Sequence, residues 1–171
     1  MWLEKSLGFF LLLALLSINC SSPRSTTGVP AKPADPGESL AKIKMTDLDG
    51  KPLSLKDFAG KPVFLNFWAT WCGPCVSEMK SIEEASKQFK DDIVFLAVSN
   101  EPPALIKSYL TKNKLSFRFA QLSVSYLEVY VVALPTTMLI DSNGQLVEEE
   151  EGFRNWSSPD SIEKLKLLAK K

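Results

Sequence analysis

The sequence predicts an α/β fold: a central mixed β-sheet flanked by helices, with a β-hairpin added at its N-terminal end. Three observations carry that expectation. "KPVFLNFWA" and "DIVFLAVS" are continuous apolar runs of strand length, the pattern of strands covered on both faces. Each is followed by a segment whose apolar residues recur at helical spacing. Two glycine turns, Asp49-Gly50 and Asn143-Gly144, each sit between short strand-like pieces.

The elements follow in order. "AKIKMTDLDGKPLSLKDF" supplies the N-terminal hairpin and "KPVFLNFWA" the first buried strand. Val76, Met79, Ile82 and Phe89 mark an amphipathic helix over residues 75–90. "DIVFLAVS" is the next strand, and "PPALIKSYLTKN" a helix with Pro102 and Pro103 near its start. "TTMLIDSNGQLVEEEEGF" reads as two strands about a turn. Ser158 and Pro159 then open a last helix with Ile162, Leu165 and Leu168 inward. Strands alternating with helices, then a hairpin and a closing helix, give a layered α/β domain. The run Glu148–Glu151 reads as a solvated edge strand whose charge discourages edge-to-edge pairing.

Composition narrows the chemistry. The chain has 171 residues, 45% apolar and 23% charged, which suits one domain with an ordinary core. Twenty acidic residues balance 20 basic ones, so neither nucleic acid nor an anionic surface is the obvious partner. There is no histidine. That removes Ser-His-Asp and Cys-His catalysis and every metal site built on imidazole. The three cysteines are Cys20, Cys72 and Cys75.

Ahead of the domain, residues 1–19 read as a signal peptide. The apolar run 7–18 follows Lys5 and is too short to span a bilayer comfortably. Cys20 follows directly and resembles the lipidated cysteine of a bacterial lipobox, although Leu16-Ser17-Ile18-Asn19 departs from the usual spacing. The alternative is a free cysteine in a discarded signal. Residues 21–38, "SSPRSTTGVPAKPADPGE", are proline-rich with little to bury and read as a flexible linker reaching on the order of 25 Å. The folded domain is then expected over 39–171, exported and lipid-anchored on the periplasmic side of a bacterial membrane.

Trp71-Cys72-Gly73-Pro74-Cys75 falls where a buried strand turns into a helix. Cys72 then faces the unpaired amides and positive end of the helix dipole, so its pKa should fall below about 8.5. Cys75 lies one turn further in, close enough for a disulfide. An exposed thiolate that attacks and a nearby thiol that resolves is what thiol–disulfide exchange requires. A structural zinc lacks ligands here, and a structural disulfide across so small a loop restricts the unfolded chain little. The pair reads as a redox couple.

"FWATWCGPC" resembles the active site of the thioredoxin superfamily. Together with "DLDGKPLSLKDF" and "LPTTMLIDSNGQLV", it is similar to the exported, membrane-tethered TlpA/ResA branch over about residues 43–170. The resemblance implies a thioredoxin-like fold and a thiol–disulfide oxidoreductase without cofactor or bound metal. Cys72 would attack, Cys75 would resolve, and the Cys72–Cys75 disulfide would form. It implies a cis bond between Leu134 and Pro135 beside the cysteines, with Leu134, Pro135, Trp71, Gly73 and Pro74 meeting the substrate and Trp68 helping to shape the surface. Pro135 would also keep metal from bridging the thiols.

Asn66 fills the position of a buried aspartate in thioredoxins, and an amide cannot act as a base. Glu101 is therefore the expected proton carrier for Cys75, partly buried with a raised pKa; otherwise it is an exposed loop acid. Val76 and Lys80 stand where the branch often has arginine and a kinking proline, which leaves less positive charge near the thiols and predicts a straighter helix. The partners implied are protein thiols or disulfides and a membrane electron donor, with the chain a monomer. Reduction of protein disulfides, as in cytochrome c maturation, is the leading expectation. A thiol peroxidase fits less well, because Thr70 is wrongly spaced from Cys72, and so does a copper chaperone, which usually adds a histidine.

Overall fold

A computed structural model describes residues 31–171. The signal segment, Cys20 and most of the expected linker lie outside the described residues. Seven strands form one sheet in the order β2-β1-β5-β4-β3-β6-β7: β1 Met45–Asp47, β2 Pro52–Leu53, β3 Val63–Phe67, β4 Val94–Ser99, β5 Arg118–Leu122, β6 Thr136–Ile140 and β7 Leu146–Glu151. β3, β4 and β5 run parallel, while β6 pairs antiparallel with β3 and β1 with β5, so the sheet is mixed. β1 and β2 are the expected N-terminal hairpin.

The helices are α1 Pro36–Ala41, α2 Gly73–Gln88, α3 Pro103–Lys112 and α4 Pro159–Leu168. Residues of α2, α3 and α4 bury one sheet face around Phe64, Phe95 and Trp156. That sidedness follows from topology, since β3-α2-β4 and β4-α3-β5 step in the same direction and right-handed crossovers place both helices on one side. The other face, around Leu65, Phe67, Val98 and Met138, is closed by Leu40 next to Ile43 and by short 3₁₀ turns at residues 55–58 and 126–129.

Four differences from the sequence reading have physical causes. β5 was not expected: in "RFAQL" Ala120 and Leu122 are buried on one face and Phe119 packs on the other, but Arg118 and Gln121 break the sequence up, so no apolar run announces it. Residues 36–38, read as linker, begin α1; the Asp35 carboxylate accepts from the Gly37 N–H and Pro36 occupies the first turn. Val76 lies 37% exposed, outside the inward stripe formed by Met79, Ile82 and Phe89. β7 is an edge strand, yet three of its four acids, Glu148, Glu149 and Glu150, are engaged rather than merely solvated. Lys164 of α4 pairs with Glu148 and Glu150, Arg154 pairs with Glu150 at 2.9 Å, and Lys32 pairs with the nearly buried Glu149 at 2.6 Å.

Candidate active site

The carboxyl ends of β3 and β4 meet at one pole of the sheet, where open α/β folds leave a crevice. The chain leaves β3 through Trp68, whose N–H still reaches the Val98 carbonyl at 3.1 Å, then turns sharply into α2. Cys72 is the N-cap of α2. Its backbone is extended, its carbonyl takes the Val76 N–H at 3.0 Å, and its sulfur accepts from the Cys75 N–H at 3.3 Å. Pro74 fits the first turn because no intrahelical bond needs its missing N–H. Cys72 and Cys75 are joined in a disulfide, with Cα atoms 5.3 Å apart.

The two cysteines are unequal, though less so than expected. Cys75 has no exposure and Cys72 keeps 6%. Cys72 is therefore recessed. What stands out at the surface is Trp71, 71% exposed, followed by the exposed Gly73 and Pro74. Trp68 takes the opposite part: it is fully buried, its ring 4.9 Å from Tyr109 and 5.6 Å from Phe119.

Beside Cys72 runs a groove of about 490 Å³. Trp71, Gly73 and Pro74 form one wall; Tyr126, Leu127 and residues 131–134 form the other. Leu134 reaches it from the segment entering β6, through a cis bond to Pro135. The structure thus gathers the sequence-predicted Trp71, Cys72, Gly73, Pro74 and Leu134 on one groove, with Pro135 buried directly after it.

Glu101 is buried as expected, but it holds the loop rather than the thiols. Its carboxylate accepts from the Thr70 N–H at 2.7 Å, the Thr70 hydroxyl at 2.6 Å and the Ser99 hydroxyl at 3.0 Å. Tyr126 braces the same loop, its hydroxyl donating to the Trp68 carbonyl at 2.6 Å. Two tethers, one just past β4 and one from the 3₁₀ turn 126–129, thus fix Trp68-Ala69-Thr70, and with them the position of Cys72. That geometry fits a positioning role better than the proton relay.

The acid the sequence reading missed is Glu78. It lies three residues after Cys75 on the same face of α2, 1% exposed. Burial pushes its carboxyl up to about 7, against the opposing pull of the Arg154 N–H and the Asn66 amide. Asn66 Nδ2 donates to Glu78 Oε1 at 2.7 Å and to Thr137 Oγ1 at 3.0 Å. Asn66 is no base, but it orients the Glu78 carboxyl. A warning was present in the sequence: Cys75, Glu78 and Ile82 share a helical stripe, and a lone acid on an inward stripe is unusual. Among the described residues, no three Cys, Asp or Glu side chains converge where a metal could sit.

The Redoxin family profile matches residues 35–165. This chain belongs to the Redoxin family. It is 37% identical over 120 residues to the thiol-disulfide oxidoreductase ResA of Bacillus thuringiensis subsp. konkukian, covering 68% of this chain and 69% of that one. A thiol:disulfide interchange protein from Bacteroides sp. superposes with a TM-score of 0.65 at 26% identity, over 75% of this chain and 86% of the other. The exposed lipoprotein thioredoxin of Streptococcus pneumoniae gives 0.58 at 31% identity, over 75% and 98%. The fold is thioredoxin-like and the protein is a thiol–disulfide oxidoreductase, with the Cys72–Cys75 pair at the pole just described.

Proposed function

We propose that this oxidoreductase reduces disulfides in polypeptides on the periplasmic side of a bacterial membrane, to which lipidated Cys20 tethers it. One observation carries the reaction: Cys72 caps α2 beside an open groove, while Cys75 is sealed one turn deeper. In the reduced protein the helix amides favour the Cys72 thiolate. It attacks one sulfur of the substrate disulfide, and the other sulfur leaves as a thiolate that takes up a proton. Cys75 then attacks the mixed disulfide at Cys72, releasing the second substrate sulfur as a thiolate that takes a proton from solvent and leaving the Cys72–Cys75 disulfide. Two electrons have passed from protein to substrate.

As the Cys75 sulfur attacks, its proton goes to Glu78, whose raised pKa lets it hold or release a proton near neutrality. A membrane donor of two electrons restores the dithiol. The tether and the reducing direction rest on the residues of the N-terminal segment, on Gly73-Pro74, and on the TlpA/ResA resemblance. Cytochrome c maturation is the task this resemblance suggests for the enzyme. The reduction potential tests the direction. Equilibration of the chain in defined thiol buffers should give about −250 mV or lower, whereas a value near −120 mV would make it a disulfide donor.

A further inference from the structure

Among the described non-glycine residues, only Tyr130 has a left-handed backbone, with φ 62°. L side chains rarely adopt that conformation, and glycine would take it more easily. Its place in the chain gives the conformation a consequence. Tyr130 ends the 3₁₀ turn 126–129, its N–H bonded back to the turn and the Val131 N–H to the Tyr126 carbonyl at 2.9 Å. Tyr126 and Leu127 on one side, and residues 131–134 on the other, are the wall of the groove facing Cys72. Tyr130 is therefore the bend between the two halves of that wall.

Its side chain does not line the groove. It reaches to α1, some ninety positions earlier in the chain. Lys42 Nζ donates to the Tyr130 hydroxyl and lies 4.3 Å from the ring centroid. The hydroxyl donates in turn to Glu38 at 3.1 Å, and Lys42 and Glu38 pair with each other at 3.1 Å. α1 closes this ring, held at its own start by the Asp35 cap. A residue that is costly for the backbone at the bend is thus fixed from outside by the helix that opens the domain.

We propose that Tyr130, braced by Glu38 of α1 and by Lys42 at that helix's C-cap, is a positioning residue that sets the groove wall opposite Trp71 and so the enzyme's affinity for extended polypeptide disulfides. The proposal rests on the disulfide-reductase reading above. A polypeptide must lie along both halves of the wall, whereas a small disulfide needs only the sulfur of Cys72.

The test compares full-chain variants on two probes, hydroxyethyl disulfide and a synthetic disulfide-bonded peptide with leucines flanking its cysteines. Tyr130→Phe removes only the hydroxyl. It should raise KM for the peptide about tenfold, the scale of one lost hydrogen bond, with kcat and the rate on hydroxyethyl disulfide close to wild type. Lys42→Ala should do the same, and the double variant no more than either single one, since one brace is broken. Tyr130→Gly suits the left-handed backbone, so it should stay folded and still show the raised KM. Wild-type KM in both Tyr130→Phe and Lys42→Ala, or equal losses on both probes, would overturn the proposal. A wild-type protein that reduces neither probe would instead contradict the reductase reading beneath it.

Discussion

At the residue scale, the proposed mechanism moves the proton-relay role, expected of Glu101, to Glu78 and leaves Glu101 to hold the turn after β3. Glu101 holds the turn after β3 with three hydrogen bonds, so Glu101→Gln replaces one acceptor oxygen with a donor facing Thr70 or Ser99. It should cost about 1–3 kcal/mol in denaturant unfolding while leaving the pH profile of thiol exchange unmoved. A shifted profile would return the relay to Glu101. Glu78 behaves in the opposite sense. Its folded pKa lies above its ordinary value of 4.5, so the folded state holds a proton that the unfolded state has lost. Stability then falls as pH rises from about 4.5 to about 7, by about 3 kcal/mol, and is flat above. Glu78→Gln should therefore be more stable than wild type at pH 8 and nearly equal at pH 4. The same variant should lose the inflection near pH 7 in the exchange rate. Equal stability changes at both pH values would show that Glu78 carries no buried charge.

At the element scale, the β7–α4 pairing is what the acidic run accomplishes. Burial works against ionisation of Glu150, yet Lys164 and Arg154 outweigh it and hold its carboxyl below the usual range. A lowered acid stabilises the fold above its ordinary pKa and loses that contribution as pH falls. Lys164→Ala should consequently lower stability by about 1 kcal/mol at pH 7 and by less at pH 3, read from thermal unfolding. Equal losses at the two pH values would mean that Lys164 contributes packing alone.

The elements also show where sequence pattern suffices. β3, β4 and β6 are buried on both faces, so composition alone exposes them, and the Cys72 cap follows from the strand-to-helix turn. β5 and α1 escaped because their evidence is relational. β5 is half polar and becomes a strand by lying between β1 and β4. α1 hides its Asp35-Pro36 start in a proline-rich stretch. Glu78 and Tyr126 escaped for the same reason, since their partners Asn66 and Trp68 belong to another element.

At the scale of the whole molecule, the reactive parts gather at one end of the sheet. The loops after β3 and β4, the start of α2 and the segment entering β6 all converge there. With net charge zero, long-range steering offers little discrimination, so in the proposed reaction selection rests on the apolar groove and its exposed rim of Trp71, Leu127 and Val132. The central claim is that electrons leave through Cys72, with Cys75 as the resolving thiol. Trapping of mixed disulfides in single-cysteine variants tests it most directly. Incubated with an oxidised peptide, Cys75→Ser should accumulate a mixed disulfide at Cys72, and Cys72→Ser should accumulate none. A stable adduct at Cys75 in Cys72→Ser, with none at Cys72 in its counterpart, would reverse the roles and contradict the account.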